Sequence, residues 1–94
     1  MAYKINIEPQ VFEDIQEAIL YLNRQQKGLG KKFLITVNAK FKLLTTNPFF
    51  EIKYENVRTI QTEPFSYLIH FTVDEQLNMV TVRSVLHTSK DWLK

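Results

Sequence analysis

Along this 94-residue chain the spacing of apolar positions changes twice, from a short alternating run to a helical period through the rest of the first half and back to alternation in the second. Before the helical part, Tyr3-Lys4-Ile5-Asn6-Ile7 alternates apolar and polar residues, which predicts a short strand. Pro9 suits the first position of a helix, where its missing N–H is no loss, although Glu8 is a mediocre N-cap. Glu13 and Asp14 lie near that start, where carboxylates meet the positive end of the macrodipole. Val11, Phe12, Ile15, Ala18, Ile19 and Leu22 then form one apolar stripe on a helix reaching about Gln26. Gly28 is placed to end it in a left-handed conformation, which only glycine adopts cheaply. A second helix carries Phe33, Leu34, Val37, Phe41 and Leu44 as its buried stripe. Lys31, Asn38 and Lys42, with Lys32, Thr36 and Lys40, line its outer side until Asn47-Pro48 stops it. Joined by a tight turn, the two helices should pack as an antiparallel hairpin.

The second half reads as strands. Val57 to Thr62 is one, with Ile52-Lys53-Tyr54 as a possible start, and Glu63-Pro64-Phe65 turns the chain. Ser66 to Val73 follows, with Tyr67, Ile69, Phe71 and Val73 on one face and Leu68, His70 and Thr72 on the other. After a polar turn over Asp74–Asn78, a strand from Met79 to His87 sets Val80, Val82, Ser84 and Leu86 against Met79, Thr81, Arg83, Val85 and His87. Short turns make the three strands an antiparallel meander.

Strand, helix hairpin and three-stranded antiparallel meander together predict a two-layer α+β fold, one domain over residues 1–94. The face rich in Tyr67, Ile69, Phe71, Val80, Val82 and Leu86 should lie under the helices. The other face should present His70, Arg83 and His87 to solvent.

Composition narrows the possibilities. Apolar residues make up 45% of the chain and aromatic ones 13%, enough for a packed core and too many for a disordered segment. With no cysteine, disulfides, thiolate metal sites and thiol nucleophiles are excluded. No apolar run reaches signal-peptide or membrane-spanning length, which predicts a cytoplasmic protein with no membrane role. A net charge of +2 favours an acidic partner without demanding nucleic acid. Its distribution says more: between Leu29 and Asn47 there are lysines and no acid, whereas Glu8, Glu13, Asp14 and Glu17 cluster earlier.

No catalytic spacing stands out. There is no glycine-rich phosphate loop and no HExxH, and the two histidines lack a carboxylate companion, so neither a metal nor a cofactor is expected. Arg58, Arg83, His70, His87 and Lys90 could grip a phosphate and supply a proton donor for RNA cleavage by a 2′-hydroxyl. The same residues are also the ordinary polar face of a one-sided sheet. His87, before Thr88 and Ser89, suits local hydrogen bonding as well as acid catalysis, and Arg83 suits a carboxylate as well as a phosphate. Trp92 can lid the helix–sheet seam or stack on a base. Lys32 and Lys40 are solvating residues, or part of a basic face for an acidic peptide. A macromolecular partner could therefore touch Lys32, Lys40, His70, Lys90 and Trp92.

The run from Tyr3 to Phe33 resembles the opening of RelE/ParE-superfamily toxins: a strand, a Pro-initiated helix, Gly28-Leu29-Gly30 and a Lys/Phe-bearing second helix. Asn47-Pro48, Val57-Arg58, Pro64-Phe65-Ser66-Tyr67 and Val85 to Asp91 fall where that superfamily has its landmarks, so the likeness spans nearly the whole chain. The resemblance implies the toxin of a type II toxin–antitoxin system, of the kind that serves plasmid stabilisation. Its partner would be a cognate acidic antitoxin, bound as a hetero-oligomer by helix-in-groove and strand-addition contacts.

One branch of the superfamily cleaves mRNA on the ribosome; the other poisons DNA gyrase. The nuclease branch tends to place an arginine after the aromatic of the middle meander strand, whereas here Leu68 follows Tyr67. The ending Val85-Leu86-His87-Thr88-Ser89-Lys90-Asp91-Trp92 looks more like the gyrase-directed branch, whose members share a histidine there without being nucleases. The resemblance therefore leans to a ParE-like gyrase inhibitor. Two alternatives stand beside it: an endoribonuclease using Arg58, Arg83 and His87, and a non-toxic protein-binding module of the same fold.

Overall fold

A computed structural model describes residues 2–89. The elements run β1 (Lys4–Ile7), α1 (Pro9–Gln25), α2 (Leu29–Leu44), β2 (Ile52–Tyr54), β3 (Val57–Gln61), β4 (Tyr67–Asp74) and β5 (Met79–His87). The strands form a five-stranded sheet in the order β1-β5-β4-β3-β2. The expected meander is β3-β4-β5, and β2 extends it by one short antiparallel strand. β1 lies parallel to β5, with Ile5 beside Val80 and Ile7 beside Val82. The α+β class read from the sequence is thus the one observed.

Both helices cover one face. Val11, Ile15, Ala18 and Leu22 of α1 and Phe33, Val37 and Leu44 of α2 pack on Ile60, Tyr67, Ile69, Phe71, Val80, Val82 and Val85. Phe33 is central: its ring stands edge-on to Phe65 at 5.4 Å and tilted against Tyr67 at 5.0 Å. Phe12 and Leu34, expected in the buried stripes, are exposed. At about 100° per residue each lies about a quarter-turn off the line of its buried neighbours.

The helix hairpin turns on two glycines with different duties. Gly28 has φ 93° and stands in open space, so its demand is conformational. Gly30 sits where α2 crosses α1, and a Cβ there would come within 2.7 Å of Ile19 Cγ2. Its N–H donates to Asn23 Oδ1 at 2.9 Å, so α1 itself satisfies one of the open donors at the start of α2.

One irregularity rearranges the sheet faces. Between His70 and Phe71 of β4 the partner residue on β5 skips from Ser84 to Val82, so Arg83 is the extra residue of a β-bulge. The alternation expected for β5 holds through Val82 and then inverts. Val85 is in the core, whereas Ser84 and Leu86, expected beneath the helices, lie on the other side. His87 moves with Val85 to the helix side, which corrects its expected place on the open face.

Candidate functional site

Arg83 is the one expected basic residue that does stand on the uncovered face. The bulge projects it beside β4, where Nε donates to Thr72 Oγ1 at 3.2 Å and Nη1 reaches the Glu8 carboxylate at 3.3 Å. Glu8, just before α1, thus clips the helix entrance to the sheet. Thr72, Thr81, Arg83 and Asn56 line a shallow groove of roughly 440 Å³ that continues to the β4–β5 turn at Asp74–Leu77.

His70 faces the same side but is not a surface residue, contrary to expectation. It is wholly buried, with Tyr54 of β2 lying over it: ring centroids are 6.0 Å apart and Oη is 3.3 Å from Nδ1. β2, whose register shifts between Ile52 and Tyr54, is what brings that phenol across. Burial holds the His70 imidazole below its usual pKa, partly opposed by the Asp14 carboxylate. Burial also raises the Tyr54 phenol, as does Glu55, with Arg83 pulling the other way.

Arg58 is on the helix side, because it pairs with Phe71. Its Nη1 donates to the Phe50 carbonyl at 2.6 Å and its guanidinium lies 5.3 Å from the centre of the Phe49 ring. The residue pins the connection after α2 against the sheet. Phe50, in turn, stands edge-on to Phe71 at 6.4 Å.

His87 sits at the far end of β5 in an aromatic corner. It is edge-on to Tyr67 at 5.1 Å and to Tyr21 of α1 at 6.5 Å. Its Nδ1 accepts the Ser89 N–H at 3.1 Å and is 2.8 Å from Ser89 Oγ, so the neutral ring carries its proton on Nε2. Burial raises the pKa of the Tyr67 phenol, with Tyr21 and Glu17 adding to the shift.

The sequence-derived candidates therefore do not converge. Arg83 is on the open face, His70 beneath it, Arg58 and His87 on the helix side at different heights. β3 and β5 hold those last two with β4 between them and a four-residue offset in register, about 13 Å along the strands. Lys32 is exposed on α2 and Lys40 half-buried; Lys90 and Trp92 lie outside the described residues. Among the described residues no group of three or more His, Asp or Glu could hold a metal, and no helix is long and apolar enough to cross a membrane.

Sequence reasoning missed Asp14, Tyr54 and Glu8. Asp14 had a readable signal, since Val11, Asp14, Ile15, Ala18 and Leu22 share one helix face and only one of them is charged. Tyr54 had none, because its role depends on the irregular pairing of β2.

By fold, this is an α+β protein of the RelE/ParE type. A chain of the chromosomal ParDE toxin–antitoxin system from P. aeruginosa superposes with a TM-score of 0.78 at 12% identity, covering 94% of this chain and 98% of that one. A chain of the RelBE2 toxin–antitoxin complex from Mycobacterium tuberculosis gives 0.65 at 15% identity, covering 93% and 99%. No curated protein matches in sequence. Residues 5–92 match the family described as the ParE toxin of the type II toxin–antitoxin system, parDE, and the chain belongs to that family.

Proposed function

We propose that this chain is a toxin that acts on DNA gyrase by binding rather than by catalysis, and that a cognate acidic antitoxin neutralises it. The observation that carries the reading is the dispersal of Arg58, Arg83 and His87. A nuclease needs its phosphate clamp and its proton donor within hydrogen-bonding reach of one scissile linkage. Here two of the three are spent on packing on the helix side, and the third is paired with Glu8 on the opposite face.

The antitoxin would use what the fold leaves open. β1 and β2 are the sheet edges, and the outer side of α2 carries Lys31, Lys32 and Lys42. The deciding experiment adds purified protein to gyrase with relaxed plasmid. Loss of supercoiling, with accumulation of cleaved DNA bound to the enzyme, is expected; unchanged supercoiling would sink the reading.

The endoribonuclease reading keeps one observation of its own, Arg83 beside an open polar groove. Codon-phased mRNA 5′ ends after induction would establish it in place of the gyrase reading.

A further inference from the structure

Residues 51–56 lie over the open face of the sheet on a slender attachment. Glu51, Ile52, Lys53, Glu55 and Asn56 are exposed, and Tyr54 alone turns inward. Lys53 pairs with Glu51 at 3.0 Å, inside the stretch rather than across to the sheet. The pairing with β3 is short and irregular, Ile52 meeting Arg58 and Tyr54 meeting Val57 across a register shift. The turn that follows holds Glu55 at φ 47°, a left-handed conformation that a Cβ disfavours. On either side the chain is fixed. Before the stretch, Phe50 stands edge-on to Phe71 and its carbonyl accepts from Arg58 Nη1; after it, Val57 is buried. Beneath it lies His70, wholly buried, with the Tyr54 ring above and Oη 3.3 Å from Nδ1.

We propose that residues 51–56 are a pH-sensitive flap, closed on His70 while the imidazole is neutral and released when the ring takes up a proton. The inference holds whichever target the toxin has. A positive charge sealed away from water is disfavoured, and histidine is the side chain that gains one just below neutral pH. Burial outweighs the charges around the ring. Across β3 and β5 its paired residues, Thr59 and Ser84, are uncharged. Arg83, next along β5, brings a second positive charge to the same face. Glu55 of the flap is exposed and acts on the Tyr54 phenol. From α1 the Asp14 carboxylate favours the charged ring, but the Val85 N–H and Gln10 Nε2 already engage it.

Water reaches the ring with least loss of packing by lifting the flap. β3, β4 and β5 contribute Ile60, Ile69, Phe71, Val82 and Val85 to the core, whereas no residue of 51–56 belongs to it. Release changes the open face in two ways: Asn56 leaves the wall of the groove beside Arg83, and β3 replaces β2 as the sheet edge. The closed flap is favoured above the ordinary imidazole value of about 6.5 and gives way as the pH falls toward the depressed value of the covered ring. One proton on one histidine raises the open-to-closed ratio at pH 5.5 by no more than about tenfold.

Amide hydrogen exchange of the full chain at pH 7.5 and 5.5, corrected for intrinsic rates, tests this. Protection across residues 52–58 should fall severalfold on acidification, up to that limit. It should also be indifferent to low urea, the mark of a local opening, whereas protection of Ile69 and Val80 in the core falls with urea. His70→Gln should remove the pH response of the flap. Tyr54→Ala, which uncovers the ring, should move the His70 titration followed by NMR up toward about 6.5, a readout that does not depend on the His70 variant folding. A flap that exchanges only together with Ile69 and Val80 overturns the proposal. So does a pH response retained in folded His70→Gln, or a His70 titration that Tyr54→Ala leaves unmoved.

Discussion

The side-chain carboxylate of Asp14 on α1 accepts a hydrogen bond from the backbone N–H of Val85 at 2.9 Å, across 71 positions of sequence. The second carboxylate oxygen accepts from Gln10 Nε2, also at 2.9 Å. Val85 is the first core residue after the β5 bulge, where the ladder is broken and a backbone donor needs another acceptor. A buried carboxylate from the covering helix supplies it. The bond ties α1 to the point where β5 changes face, and so to the placement of His87 against Tyr21 and Tyr67.

Asp14→Ala should therefore destabilise the protein by about 1–3 kcal/mol, the cost of leaving a buried donor unmet. Asp14→Asn keeps an acceptor oxygen and should cost less. Urea denaturation of both variants checks the order; equal stability of Asp14→Ala and the parent would mean that the bulge donor finds another acceptor.

The two glycines of the hairpin should respond differently to alanine. Gly30→Ala drives a methyl into Ile19 and the Asn23 side chain, with an expected loss of about 1–3 kcal/mol from overpacking. Gly28→Ala meets no atom and should cost about 1–2 kcal/mol, from the left-handed backbone alone. Adding Ile19→Ala should recover part of the Gly30→Ala loss and none of the Gly28→Ala loss, as thermal or urea unfolding of the double variants would reveal.

Stability should fall on mild acidification because of His70. Its folded pKa is depressed by burial, so below about 6.5 the unfolded chain binds a proton that the folded chain resists. The contribution is complete above that pH and is lost as the pH drops toward and through the depressed folded value. Urea midpoints at pH 7.5 and 5.5 should differ more for the parent than for His70→Gln. An identical difference in the two proteins would count against His70 as the source.

Toxicity in cells should survive Arg83→Ala and His87→Ala together if the gyrase reading holds, provided the double variant remains folded. Growth arrest on induction without the antitoxin is the measurement. Arrest abolished in a folded double variant would point back to RNA cleavage.

Much of the fold was legible because it depends on local periodicity. The helical stripes, the Pro48 stop and the alternation of β4 follow from which residues must leave water, and they were recovered within a residue or two. Phe12 and Leu34 were misplaced because a stripe has edges that spacing cannot rank. Only the packed hairpin decides which edge is covered. The β5 faces were right up to Val82 and inverted beyond it, since one extra residue flips a period-two pattern. Nothing in Val82-Arg83-Ser84-Val85 marks which residue is extra.

The candidate site divided along the same line. Residue types alone established what chemistry was excluded, a thiol or a thiolate-bound metal, because that depends on atoms present in the chain. Whether Arg58, Arg83, His70 and His87 could act together was a matter of which face, depth and height each occupies. Those are set by long-range pairings, β2 laying Tyr54 over His70 and Asp14 holding the bulge. Such contacts join residues far apart in sequence, and no local pattern encodes them.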